Sequence, residues 1–177
     1  MTGTETGNVP EQFREVMQWN AEQLHPEYEH LLTSWPVTLR AEIAGLGEVL
    51  FCHATPQSDT EIFTRLTPED RLLSVFAGLN VPVVICGHTN MQFERMIGRI
   101  RVMNASSVGM PFGEPGAYWL LLGPNIQLQY TNYNLAKAAE CIRATNYPQA
   151  RDFAAQNVLQ PLAEEKMLEV FAKVELR

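Results

Sequence analysis

The chain has 177 residues, 46% of them hydrophobic, and 13 Lys and Arg against 20 Asp and Glu, for a formal net charge of -7. That apolar share is ordinary for one packed domain and excludes a chain disordered throughout. The negative field repels phosphate backbones and so argues against a nucleic-acid binder, and no stretch approaches the ~18 apolar residues a membrane span needs.

The first ten residues carry no basic segment followed by an apolar run, which predicts a soluble, cytoplasmic protein. Three cysteines, Cys52, Cys86 and Cys141, show no Cys-x-x-Cys spacing. Reduced, mostly buried thiols follow, rather than a disulfide framework.

Residues 2–8 hold Gly, Thr and Glu and almost nothing apolar, and read as a flexible start. A helix is predicted from Pro10, with Phe13, Val16, Met17 and Leu24 inward, then a second after Pro26 with Tyr28, Leu31 and Leu32 inward. Residues 37–43 alternate apolar and polar, the pattern of a half-buried strand, and Gly45-Leu46-Gly47 turns the chain. Residues 49–52 form a short apolar run, expected to be a strand covered on both faces, that stops at His53-Ala54-Thr55-Pro56. Thr67 is the expected N-cap of a helix whose inward residues are Leu72, Leu73 and Phe76.

A second buried strand, residues 81–86, ends at Gly87-His88-Thr89-Asn90. Further strands are predicted at residues 91–96, 100–103, 117–122 and 126–130, the last two joined as a hairpin through Gly123-Pro124-Asn125. Helices return at residues 135–145 and, after Tyr147-Pro148, in two segments split by Pro161. The final segment sets Ala163, Met167, Val170, Phe171 and Val174 on one stripe. The division expected is a core over residues 1–134 with a C-terminal helical segment, 135–177, packed on it.

Both covered strands end in a His, and ligands of open α/β sheets bind outside the carboxyl ends of the strands. Two histidines at equivalent strand ends point to a metal, although a strand-end His is also a common hydrogen-bonded loop residue. A Cys52/His53/Cys86/His88 zinc site is a further arrangement, since Cys86 and His88 would share a face of an extended strand. It competes with buried structural thiols. Arg65, Arg95, Arg99 and Arg101 could grip phosphate, although scattered arginines are commonly solvated or paired. Ser106 and Ser107 have no triad partners beside them, and Asp59 reads as a turn residue in the loop after His53.

Three ordered blocks, Phe51-Cys52-His53-Ala54-Thr55-Pro56, Cys86-Gly87-His88-Thr89-Asn90-Met91-Gln92 and Met103-Asn104-Ala105-Ser106-Ser107-Val108-Gly109-Met110-Pro111, resemble those of the calcineurin-like metallophosphoesterases. The resemblance covers about residues 19–133. It implies an α/β fold like the C-terminal part of a four-layer αββα sandwich with mixed sheets. It also implies metal-ligand roles for His53, His88 and Asn90, with Asn90 standing where the family's Gly-His-x-His turn has its second His.

The cofactors implied are divalent transition metals, Mn, Zn, Fe or Ni, if the site is completed. The family's Asp-x-His and Gly-Asp turns are absent from this sequence, and Gly7-Asn8 leads into Val9-Pro10 rather than His-Asp. We therefore expect a fragment, with codons upstream of Met1 encoding the missing turns. The activity implied for the complete protein is hydrolysis of a small phosphomonoester or phosphodiester, with two metals about 3.5–4 Å apart. The 177 residues alone are expected to be impaired. The competing expectation is a non-catalytic degenerate relative serving as a binding or oligomerisation module. No nucleic-acid or membrane partner is expected, and a homo-oligomer is compatible with the pattern.

Overall fold

The structure, a computed structural model, describes residues 10–176; the expectation for residues 2–8 lies outside them. The apolar runs form the centre of a five-stranded mixed sheet. Strand β2 (Gly47–Cys52) lies parallel to β3 (Val83–Cys86), pairing Val49 with Val83 and Phe51 with Ile85. On the other side of β3, β5 (Ile100–Ala105) is also parallel, pairing Ile85 with Met103. Antiparallel edges complete the order β1-β2-β3-β5-β4, with β1 (Thr38–Ile43) on β2 and β4 (Gln92–Ile97) on β5.

Side-chain alternation gives this sheet two different apolar faces. Leu50, Val84, Cys86 and Val102 pack against Leu72, Val75 and Phe76 of α3 (Glu69–Phe76) and Leu168 of α6 (Glu164–Phe171). On the opposite face, Val49, Val83, Ile85 and Met103 meet Leu120, Leu122 and Ile126 of a second sheet. That sheet is the antiparallel hairpin β6 (Ala117–Leu122) and β7 (Ile126–Thr131), as the Gly-Pro-Asn turn predicts. The layers are therefore helices, five-stranded sheet and two-stranded sheet.

The turns of the two sheets meet. Gly45 adopts φ 86°, and a Cβ there would stand 2.6 Å from the Pro124 Cα, so only glycine fits where the β1–β2 turn lies on the β6–β7 turn. After the hairpin, α4 (Leu135–Arg143) is capped by the Asn134 side chain, which accepts from Lys137 N at 2.9 Å. Helix α5 (Ala150–Phe153) runs on into a π-helical turn (Ala154–Leu159) that packs Ala154 and Val158 against Ala139 of α4.

Several inward assignments are corrected. In α1 (Glu11–Gln23) and α2 (Pro26–Thr33) the residues Phe13, Met17, Tyr28, Leu31 and Leu32 are exposed rather than inward, and α2 buries nothing. Periodicity groups residues on one face of a helix; it does not supply a surface for that face to meet. In α3 the buried set is Leu72, Val75 and Phe76, the i, i+3, i+4 stripe of a helix starting at Glu69, and Leu73 is exposed.

Thr67 is not the side-chain cap of α3. Its hydroxyl donates to the Glu175 carboxylate at 2.6 Å and accepts from Thr64 N at 2.8 Å. In α6 the buried residue is Leu168, with Met167 and Phe171 against the core, while Val170 and Val174 are exposed.

Candidate metal centre

His53 follows β2 by one residue and His88 follows β3 by two, so the parallel pairing of the strands brings both to one end of the sheet. Gly87 N donates to the His53 carbonyl at 2.8 Å, which stitches the two turns together. The rings then meet at 67° with centroids 5.0 Å apart, and His88 Nδ1 stands 3.2 Å from His53 Nε2.

The backbone around the pair is unusual. His88 (φ 68°), Asn90 (φ 55°) and Ser106 (φ 66°) are the non-glycine residues with positive φ among the described residues, and all three lie in the loops after β3 and β5. A left-handed conformation costs a residue with a Cβ about 1–2 kcal/mol, so surrounding contacts must enforce it. Asn104, fully buried, provides them: its Nδ2 donates to the Gly87 carbonyl at 2.5 Å and the Thr89 hydroxyl at 3.0 Å, while its Oδ1 accepts from Ser106 N at 2.8 Å. Ser106 Oγ donates to the Asn90 carbonyl at 3.0 Å.

His53 is exposed and His88 half-buried. Burial pushes the His88 imidazole below its usual pKa of 6.5, the neighbouring His53 lowers it further, and the Thr60 backbone and Asp59 carboxylate oppose them. A neutral ring with an available lone pair is the form a metal needs.

Two imidazole nitrogens bound to one ion at about 2.0–2.1 Å each stand roughly 3.0–3.4 Å apart. The observed 3.2 Å fits two positions of one ion's coordination, and also an N–H···N hydrogen bond between neutral rings. No group of three or more His, Cys, Asp or Glu side chains able to hold a metal occurs among the described residues. The fit is thus to part of a coordination shell. Asn90 follows on the same turn, held through its backbone carbonyl.

The Cys52/His53/Cys86/His88 arrangement is not formed. The chain leaves the extended conformation at His88, so its ring turns to His53 and not to the side of Cys86. Cys86 Sγ instead donates to the Met103 carbonyl at 3.5 Å, and Cys52 Sγ lies near the Ala54 and Ile85 carbonyls. Burial pushes the Cys52 thiol up to about 11 and that of Cys86 well above 9.0.

The arginines singled out for phosphate are engaged elsewhere. Arg65 pairs with Glu164, and Arg101 Nε pairs with Glu94 at 2.6 Å. Arg95 donates to the carbonyls of Thr64, Arg65 and Thr67, and Arg99 reaches Asn80. Ser107 Oγ accepts from Gly109 N and Met110 N and shapes the loop at the rim.

Two organising residues escaped the sequence reading. Asn104 extends a buried strand with a polar side chain, a signal visible in the run Ile100 to Asn104. Thr55, also fully buried, holds the loop after His53: its hydroxyl donates to Glu61 at 2.5 Å and accepts from Ser58 N at 3.1 Å.

No protein-family model matches the chain, and no curated protein matches it. Solved structures do. A hypothetical protein from Pyrococcus horikoshii OT3 superposes with a TM-score of 0.70 at 17% identity, over 88% of this chain and 63% of its own. A metallophosphoesterase from Sphaerobacter thermophilus gives a TM-score of 0.64 at 18% identity, over 89% of this chain and 71% of its own. The chain thus spans less than two thirds of the first structure's length. At these identities the likeness is one of fold: the chain has a mixed α/β fold of the metallophosphoesterase type.

Proposed function

We propose that the chain is the C-terminal part of a metal-dependent phosphoesterase, a hydrolase of small phosphate esters, in which His53 and His88 jointly hold one divalent transition metal. The observation that carries this reading is the 3.2 Å approach of His53 Nε2 and His88 Nδ1 at the ends of adjacent parallel strands, in a fold similar to a metallophosphoesterase.

When bound, such a metal supplies Lewis-acid neutralisation of the charge that grows on the phosphoryl oxygens. The chain's own part is to hold and orient. His53 and His88 present ring nitrogens on a stitched pair of turns, and Asn104 keeps the left-handed backbone in place. Asn90 would supply an amide oxygen to a second ion, a neutral and weaker ligand than imidazole. No acid for the leaving group is assigned to these residues; in this reading it comes, with the carboxylate ligands, from polypeptide outside the 177 residues. Residues 1–134 then form the phosphoesterase-like core and 135–177 a helical segment on it, and the enzyme works in the cytoplasm.

The test is p-nitrophenyl phosphate and its bis-ester with the purified chain plus Mn or Zn. The reading predicts metal binding through the His pair with slow or no turnover. Rapid turnover abolished by His88→Ala would show that nothing is missing; a folded chain that binds no metal would favour the non-catalytic module instead.

A further inference from the structure

The two edges of the five-stranded sheet are treated differently. At β4, Arg95 ties the strand to the 64–67 loop, and beyond its end Gly98 N donates to the Glu69 carboxylate of α3 at 2.8 Å. Among the described residues, strand β1 has no such cover. It packs closely on β2 alone, and Val37 and Leu39 are 68% and 58% exposed. Its six residues carry no proline, lysine or bulge, the devices that normally keep an edge from pairing.

Its charges are arranged to suit a copy of itself. Arg40 and Glu42 lie on one face, with Leu39, Ala41 and Ile43 on the other. Arg40 reaches diagonally to Glu48 at 2.7 Å, whereas Glu42 sits directly across from Glu48, a like-charge pair.

We propose that β1 pairs antiparallel with β1 of a second copy of this chain, about a two-fold axis at Ala41. In that register Arg40 of each copy faces the partner's Glu42, twice over, and Leu39 faces the partner's Ile43. Each Glu42 gains the cation that its own β2 does not give it, and the two sheets become one continuous sheet. A register shifted by two residues would lose both charge pairs and set Arg40 against Arg40 or Glu42 against Glu42, so the charges also select the alignment.

The experiment is sedimentation velocity on the full chain and three variants, with circular dichroism to check the fold. Wild type sediments as a dimer at tens of micromolar. Arg40→Glu and Glu42→Arg each shift to monomer, because each sets like charges opposite one another at both pairs. An equimolar mixture of the two variants recovers the dimer, since every cross-pair is again opposite in sign. The doubly swapped chain, Arg40→Glu with Glu42→Arg, is also dimeric.

Glu42→Arg keeps an ion pair with Glu48 inside the chain, so it remains a folded test even if Arg40→Glu, which gathers three carboxylates, does not fold. A monomeric wild type overturns the proposal. So does a dimer that survives Glu42→Arg, or variants that stay monomeric on mixing.

Discussion

His53 Nε2 and His88 Nδ1 stand 3.2 Å apart although 35 positions separate the two residues in the chain. The approach is produced by backbone rather than by the rings: parallel pairing of β2 and β3 sets the strand ends side by side, and the Gly87 to His53 hydrogen bond closes the gap. The consequences can be tested residue by residue.

His88 is held at φ 68°, which glycine adopts freely. Removing about 1–2 kcal/mol of strain, less about 0.4–1 kcal/mol for the added freedom of the unfolded chain, leaves His88→Gly more stable by on the order of 0.5–1 kcal/mol. Its melting temperature should rise by about 1–4 °C while its metal binding is lost. A melting temperature well below wild type would mean that the ring itself holds the loop.

Asn104→Ala strips partners from the Gly87 carbonyl, the Thr89 hydroxyl and Ser106 N in a fully buried position. With unsatisfied buried groups at about 1–3 kcal/mol each, partly relieved by water, the loss should be about 3 kcal/mol by urea unfolding. Metal affinity should fall as well, because the turn that carries His88 loosens. A variant as stable as wild type would show that Asn104 organises nothing.

Gly45→Ala should cost about 2–4 kcal/mol, combining a left-handed alanine with a Cβ 2.6 Å from the Pro124 backbone. Thermal unfolding reads the effect. Gly109→Ala, where a Cβ meets nothing within 4 Å, is the control.

Thiol reactivity separates the cysteines. With the Cys52 thiol pushed up to about 11, roughly one part in a thousand is thiolate at pH 8, so iodoacetamide should label exposed Cys141 first and Cys52 only in strong alkali. The linkage has a sign. The folded pKa lies above the unfolded 9.0, so the protonated thiol's contribution is complete below pH 9 and is lost as pH rises toward 11. Mass spectrometry of labelled peptides checks the order.

The continuous runs at β2 and β3 and the hairpin at β6–β7 were legible because burial on both faces and a Gly-Pro-Asn turn leave local marks. The strand-end position of His53 and His88 followed from the same runs. The exposure of Phe13, Met17 and Leu31 was not legible, because a helix with an apolar stripe reads the same whether or not a sheet covers it. Nor was the left-handed turn at His88, which depends on Asn104 reaching over from β5; the expectation that Cys86 and His88 share a face failed there.

The central claim, that His53 and His88 hold one ion between them, is tested most directly by the metal content of the purified chain measured by plasma mass spectrometry beside His53→Ala and His88→Ala. The account predicts about one equivalent in wild type and loss of it in both variants. No metal in a folded wild type, or metal retained after either substitution, would contradict it.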